Sequence, residues 1–210
     1  MNNFKRMAYI KFKPHHIIIL LGLILTGCGN LLSPLPSLEV NYYQISASKT
    51  SISSNKLKQK HQSSLYVSSL TANNPYNSQS MFYSKNNKIF SYINSKWISQ
   101  PNDLLTQEFI NSFNDTSDFA NIVSGNFIGY ADYRLTGNLN KLVQVRNKKG
   151  SSIVILSISY TLTSANSGQI ISSKTFQTES NTKPGAVSFA TTTSKLPPVL
   201  YLIQFGMFCY

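Results

Sequence analysis

The chain has 210 residues, enough for one domain with tails, and with 41% of them hydrophobic and 12% aromatic a wholly disordered protein is excluded. Lys and Arg number 19 against 7 Asp and Glu, a formal charge of +12, yet only 12% of residues are charged. That balance raises nucleic acid as a partner, and the placement of the charges along the chain then argues against it.

Residues 1–27 read as a secretory signal. Lys5, Arg6, Lys11 and Lys13 lie in a stretch without an acid, and the apolar run Ile17 to Leu25 follows. Nine apolar residues are far short of the roughly 20 that a spanning helix needs, so cleavage is expected rather than a retained anchor helix. Met7 serves as a start as well as Met1. Leu25-Thr26-Gly27-Cys28 resembles the lipobox of bacterial lipoproteins, which implies cleavage between Gly27 and Cys28 and acylation of Cys28. Several acyl chains on one cysteine make a durable anchor where a single chain would not. Gly29, rather than Asp, follows Cys28; by the lipoprotein sorting rule this implies the outer membrane of a Gram-negative cell, facing the periplasm. Four basic residues and no acid leave with residues 1–27, so 15 basic against 7 acidic residues remain, or +8. With Cys28 acylated, Cys209 has no intrachain partner and no disulfide framework is expected.

Residues 28–37 carry two prolines and read as a tether. The domain is expected over 38–196. Leu38 to Ser46 alternates as a strand, and Ala47 to Ser63 is a Ser/Lys-rich loop holding Lys49, Lys56, Lys58, Lys60 and His61. Leu65 to Leu70 is a strand, followed by an Asn/Pro/Ser stretch through Ser80 that reads as loop or edge. Met81 to Tyr83 and Ile89 to Ile93 form a hairpin around Asn86-Asn87, and Trp97 follows. Pro101 suits the first position of a helix over 101–113, where its missing N–H costs nothing. The apolar stripe of that helix is Leu105, Phe109 and Phe113, widened by Leu104 and Ile110.

The second half reads as an antiparallel meander: Asn121 to Val123, Asp132 to Val145, Ser151 to Thr163 and Gln169 to Gln177, with turns at 146–150 and 166–168. Gly185 to Leu196 is a helix with Ala186, Phe189, Ala190 and Thr193 inward, weakened by three consecutive threonines and stopped by Pro197-Pro198. Residues 197–210 form an atypical apolar tail, too short to span a bilayer.

The chemistry on offer is sparse. Seven acids are scattered, and His61 is the sole histidine left after cleavage, in a lysine-rich segment. Acid–base catalysis needs paired carboxylates or a histidine held by an acid, so no catalytic residue, metal site or cofactor beyond the acyl lipid on Cys28 is expected. Asp115 and Asp118 suit turn and capping work. The lysines at 49, 56, 58 and 60 carry half of the +8; they read as a solvated loop or as contacts to anionic lipid head groups. Nucleic acid is excluded by compartment. Trp97 reads as a core anchor between sheet and helix or as a partner contact, and the many strand tyrosines carry the same two readings.

Several segments in order resemble the ABC-type transport auxiliary lipoprotein family, the paraquat-inducible protein C type. They are Tyr42-Tyr43-Gln44-Ile45, then Met81-Phe82-Tyr83-Ser84 with Tyr92 and Trp97, then Pro101 with Leu104 and Leu105. Asp132-Tyr133-Arg134-Leu135 and Gly185-Ala186-Val187 complete the series over residues 28–190. The chain departs from the pattern at Ser84, where an Arg is common, and at the 197–210 tail. The resemblance implies an α/β three-layer sandwich: a mixed, mostly antiparallel sheet with two or more helices packed on it, in a single domain. It implies that Tyr42, Tyr43, Tyr83, Tyr92, Trp97 and Pro101 serve as core or partner contacts. It further implies a non-catalytic accessory subunit of an intermembrane lipid transporter, whose partners are a mammalian-cell-entry domain protein and its ABC permease and ATPase. Self-association is left open. The rival reading is an envelope-assembly lipoprotein that serves lipopolysaccharide assembly or a peptidoglycan synthase; a secreted hydrolase ranks below both for want of acid–base pairs.

Overall fold

The computed structural model describes residues 39–46, 61–116, 119–126, 128–147 and 150–196. The expected signal segment, tether and tail, together with Gly27, Cys28, Cys209, Lys49, Lys56, Lys58 and Lys60, lie outside the described residues. The elements below all belong to one compact unit, Val40–Tyr210.

In chain order the strands are β1 (Asn41–Tyr43), β2 (His61–Val67), β3 (Thr71–Ala72), β4 (Ser80–Lys85) and β5 (Lys88–Trp97). Helix α1 (Pro101–Thr116), β6 (Phe119–Ser124), β7 (Tyr133–Arg146), β8 (Ser152–Ser164), β9 (Ile170–Thr182) and helix α2 (Ala186–Lys195) complete the series. The strands make one nine-stranded mixed sheet with two helices packed on it, and the fold class is the α/β sandwich expected.

Strand β7 is the spine. One edge pairs antiparallel with β8 from Tyr133↔Ser164 to Arg146↔Ser152, and β8 pairs antiparallel with β9. These two long ladders are the expected meander. The other edge of β7 is shared by three short parallel strands in succession: β2 against Tyr133–Leu135, β3 against Asn138–Leu139 and β4 against Gln144–Arg146. A register shift at Asn140 bends β7 between its halves, and the Asn140 amide donates to Ser159 Oγ at 2.7 Å. Gly137 is required where the strands crowd, since a Cβ there would stand 2.5 Å from Leu70 Cδ2 and 2.7 Å from the Tyr160 ring.

The β4–β5 hairpin turns through Asn86 and Asn87 with φ of 51° and 60°, as a two-residue turn between right-twisted strands requires. Alternate residues of β7 and β8 (Leu135, Leu139 and Leu142; Val154, Leu156, Ile158, Tyr160 and Leu162) line the core beneath the helices. Burial pushes the Tyr160 phenol well above its ordinary value, so it stays neutral and packs as an aromatic, stacked on Phe109 of α1 at 5.3 Å.

Five expectations are corrected. Helix α1 buries Asn102, Thr106 and Phe109, while Leu104, Leu105 and Ile110 are only partly buried. The backbone at Leu70 needs partners: Thr106 Oγ1 accepts its N–H at 3.0 Å, and Asn102 Nδ2 donates to its carbonyl at 2.9 Å. Strand β6 is no part of the meander; it pairs parallel with β2, Leu65 facing Ile122. His61, expected in a loop, starts β2 and pairs with Phe119. The strand expected over 38–46 shortens to Asn41–Tyr43, and that over 169–177 extends to Thr182. Helix α2 buries the expected residues, and two of its threonines bond: Thr193 Oγ1 donates to Phe189 O at 2.8 Å and Thr192 Oγ1 to Thr182 Oγ1 at 2.8 Å.

Candidate functional site

The register of three strands assembles the aromatic residues singled out in sequence. Tyr83 on β4 faces Phe90 across the hairpin and stands beside Gln144 of β7. Its ring stacks on Phe90 with centroids 5.3 Å apart and meets Tyr92 at 5.0 Å. Arg146 closes this group, its guanidinium carbon 3.9 Å from the Tyr83 ring centre and 5.1 Å from that of Tyr92. Arg146 Nη2 donates to the Tyr92 hydroxyl at 2.7 Å, and that hydroxyl donates to Gln144 Oε1.

Gln144 is fully buried and its amide is engaged at both ends. Its Nε2 donates to Lys183 O at 2.7 Å and Ser152 Oγ at 3.1 Å, and its Oε1 accepts the Gly185 N–H at 3.3 Å. A core glutamine thus fixes the backbone entering α2 to the sheet, and a tyrosine passes that constraint on to the arginine. Arg146 Nε is buried without a hydrogen-bond partner. The same register sets Lys88, Lys85 and Arg146 in one row across β5, β4 and β7, a cationic edge at the end of the sheet.

A second seam adjoins this one. Tyr43 pairs with Trp97 in the β1–β5 ladder, and the Ile98 N–H donates to Tyr43 O at 2.8 Å. Trp97, 1% exposed, meets Phe189 of α2 edge-to-face at 5.4 Å. Pro101 is buried at the first turn of α1. Trp97 and Pro101 are therefore core residues, Tyr43, Tyr83 and Tyr92 are half-buried, and Tyr42 points outward at 59% exposure.

Sequence reading missed Gln144 and Arg146, the first because it is polar and the second because it borders a turn. The one available signal was the alternation of β7, which puts Gln144 in register with Leu142 on the buried face. Among the described residues no group of three or more His, Cys, Asp or Glu could hold a metal ion, and no helix is long and apolar enough to cross a membrane. The arrangement orients and packs; its ionisable member is a cation held on tyrosine faces.

No sequence-family profile and no curated protein sequence matches the chain. Solved structures do. Protein XCC0632 from Xanthomonas campestris, of family DUF330, is similar with a TM-score of 0.59 at 12% identity over 80% of this chain and 93% of that one. A further crystal structure of an uncharacterized protein is similar with a TM-score of 0.55 at 16% identity over 74% and 90%. The lipoprotein GNA1162 from Neisseria meningitidis aligns at a TM-score of 0.38 and 10% identity over 69% and 99%. At such identities the first two likenesses establish what the strands and helices already describe: this chain shares its sheet-and-helix fold with XCC0632.

Proposed function

We propose that this protein is a lipid-anchored envelope protein of the outer membrane, acting as a non-catalytic accessory subunit of an ABC-type intermembrane lipid transport system. In this reading Cys28 carries the anchor, and the folded domain docks a mammalian-cell-entry domain protein whose permease and ATPase lie elsewhere. The observation that carries it is convergence. Three of the motif segments, around Tyr43, Tyr83 to Trp97 and Gly185, are linked by contacts: Tyr43 pairs with Trp97, Trp97 meets Phe189, and Tyr83 and Tyr92 reach Gly185 through Gln144. These three of the five family-like segments are thus connected in space, in a fold shared with XCC0632. The Leu25-Thr26-Gly27-Cys28 lipobox supports the anchor.

Two measurements test the reading. In a Gram-negative host, Cys28→Ala is expected to leave the protein soluble or uncleaved; unchanged membrane attachment would overturn the anchor. Affinity purification of the full chain is expected to retain a mammalian-cell-entry protein. Recovery of a lipopolysaccharide-assembly component or a peptidoglycan synthase in its place would overturn the transport reading in favour of envelope assembly.

A further inference from the structure

At the opposite end of β7 from Arg146 lies a cleft of about 210 Å³, lined by Tyr66, Tyr130, Ala131, Tyr133 and Arg134 among others. The β2–β7 ladder pairs Tyr66 with Arg134, and the guanidinium carbon rests 4.9 Å from the Tyr66 ring centre. Two of the phenols hold the walls. The Tyr66 hydroxyl donates to Gly125 O at 3.0 Å and that of Tyr130 to Asn166 Oδ1, while the Ala165 N–H donates to Asp132 O at 2.9 Å. Among the described residues Arg134 has no carboxylate partner. The adjacent acid, Asp132, is not part of the lining; its Oδ2 accepts the Ser64 N–H at 2.7 Å and the Ser64 hydroxyl at 2.8 Å.

We infer that this cleft binds a phosphate ester, and that the phosphate is the head group of an amphiphile. A guanidinium resting beside an aromatic ring offers paired N–H donors that fit a phosphate, and Tyr133 lines the same space. The volume sets the size. It is below the roughly 300–1,000 Å³ of pockets that enclose a drug-sized ligand. At about 30 Å³ per water it exceeds what a bare carboxylate would fill. A glycerophosphate-sized group fits, and acyl chains must stay outside. The adjoining loop supplies a surface for them: Tyr130, which lines the cleft, is 60% exposed, and Ile128, next to the lining residue Gly129, is fully exposed. An exposed arginine without a carboxylate partner among the described residues, next to a loop with exposed apolar side chains, is the arrangement an anionic lipid satisfies, whereas a free phosphate leaves those side chains idle.

The inference deepens the lipid-transport reading and rests on it for the amphiphile, but it is tested without any partner protein. The acylated full chain, purified in a non-ionic detergent, is titrated by calorimetry with dihexanoyl phosphatidylglycerol, inorganic phosphate and a short-chain diacylglycerol. Saturable binding of the phosphatidylglycerol is expected, with weaker binding of phosphate and none of the diacylglycerol. Arg134→Gln is expected to weaken the lipid by roughly tenfold or more, the scale of a lost charge-assisted hydrogen bond. Arg134→Lys, which keeps the charge and loses the fork, falls between, and circular dichroism of both variants verifies the fold. Equal binding of phosphate and lipid, still dependent on Arg134, would overturn the amphiphile and leave a free-phosphate site. Absence of saturable binding, or binding unaffected by either variant, would overturn the site itself. Loss of the transporter partner in affinity purification would leave these titrations unchanged, so the two failures are distinguishable.

Discussion

The two ends of β7 carry the same pair of residue types and put them to opposite uses. At its C-terminal end Arg146 lies over Tyr83 and Tyr92, bonds the Tyr92 hydroxyl and, through Gln144, joins the start of α2. At its N-terminal end Arg134 lies over a single ring, Tyr66, beside an open cleft, with no carboxylate partner among the described residues. The difference lies in what surrounds the cation. Where β4, β5 and α2 converge, Arg146 Nη2 is drawn through the Tyr92 hydroxyl into a network whose centre, Gln144, is sealed from water. At the start of β7 the Tyr66 and Tyr130 hydroxyls are spent on holding the walls, and the guanidinium stays exposed. An arginine on a tyrosine is therefore a brace or a binding group according to whether the strand end around it is closed.

The comparison breaks most readily at Gln144. Replacing it with Ala leaves the Tyr92 hydroxyl, Lys183 O, Ser152 Oγ and Gly185 N–H short of a buried partner, at a cost of about 3 kcal/mol. Urea unfolding of purified protein would measure it, and a loss of less than about 1 kcal/mol would mean the closed end is no brace. The arginines come next. Arg146→Met removes a half-buried cation–π contact and a hydrogen bond and is expected to cost about 1–2 kcal/mol. Arg134→Met, at an exposed position, should stay within about 0.5 kcal/mol while abolishing anion binding. Equal losses of stability from the two variants would erase the distinction between the ends.

What the chain disclosed in advance follows the range of each interaction. The Asn86-Asn87 turn was legible because a two-residue hairpin loop demands positive φ, and asparagine tolerates it. The inward set of α2 was legible because period 3.6 is local to the ten residues of the helix. The parallel pairing of β2 with β6 was not, since alternation marks a strand but leaves its partner unnamed. The polar face of α1 was hidden for a related reason: Asn102 and Thr106 answer backbone groups at Leu70, more than thirty residues away. At the candidate site the tyrosines stood out by type, whereas Gln144 and Arg146 acquire their roles from β4, β5 and α2 meeting there. Arg134 lay inside a recognised strand motif, yet its cleft forms where Tyr130 and Ala131 meet the 165–166 turn.

The smallest effect sharpens the open end. Asp132 precedes β7 and is tied to β2 by three bonds with Ser64: its Oδ2 accepts the Ser64 N–H and hydroxyl, and its own N–H donates to Ser64 Oγ at 3.1 Å. The backbone and hydroxyl donors of Ser64 hold the carboxyl below its ordinary value near 3.9. Because the folded-state value is the depressed one, the charged form favours the fold, and its contribution is complete above the ordinary carboxylate range. It is then lost as pH falls from about 4 through the folded value, where the unfolded chain binds a proton that the folded chain resists. Asp132→Asn is therefore expected to lower the urea midpoint by a small constant amount above about pH 5, with the gap to the unaltered protein closing below about pH 4. The carboxylate is only half-buried and water screens it, so the gap should be narrower than that for Arg146→Met. A gap that persists unchanged to pH 2.5 would show that shape and not charge ties β2 to β7 here. The walls of the cleft would then rest on the tyrosine hydroxyls and the Ala165 to Asp132 backbone bond, with nothing owed to the Asp132 charge.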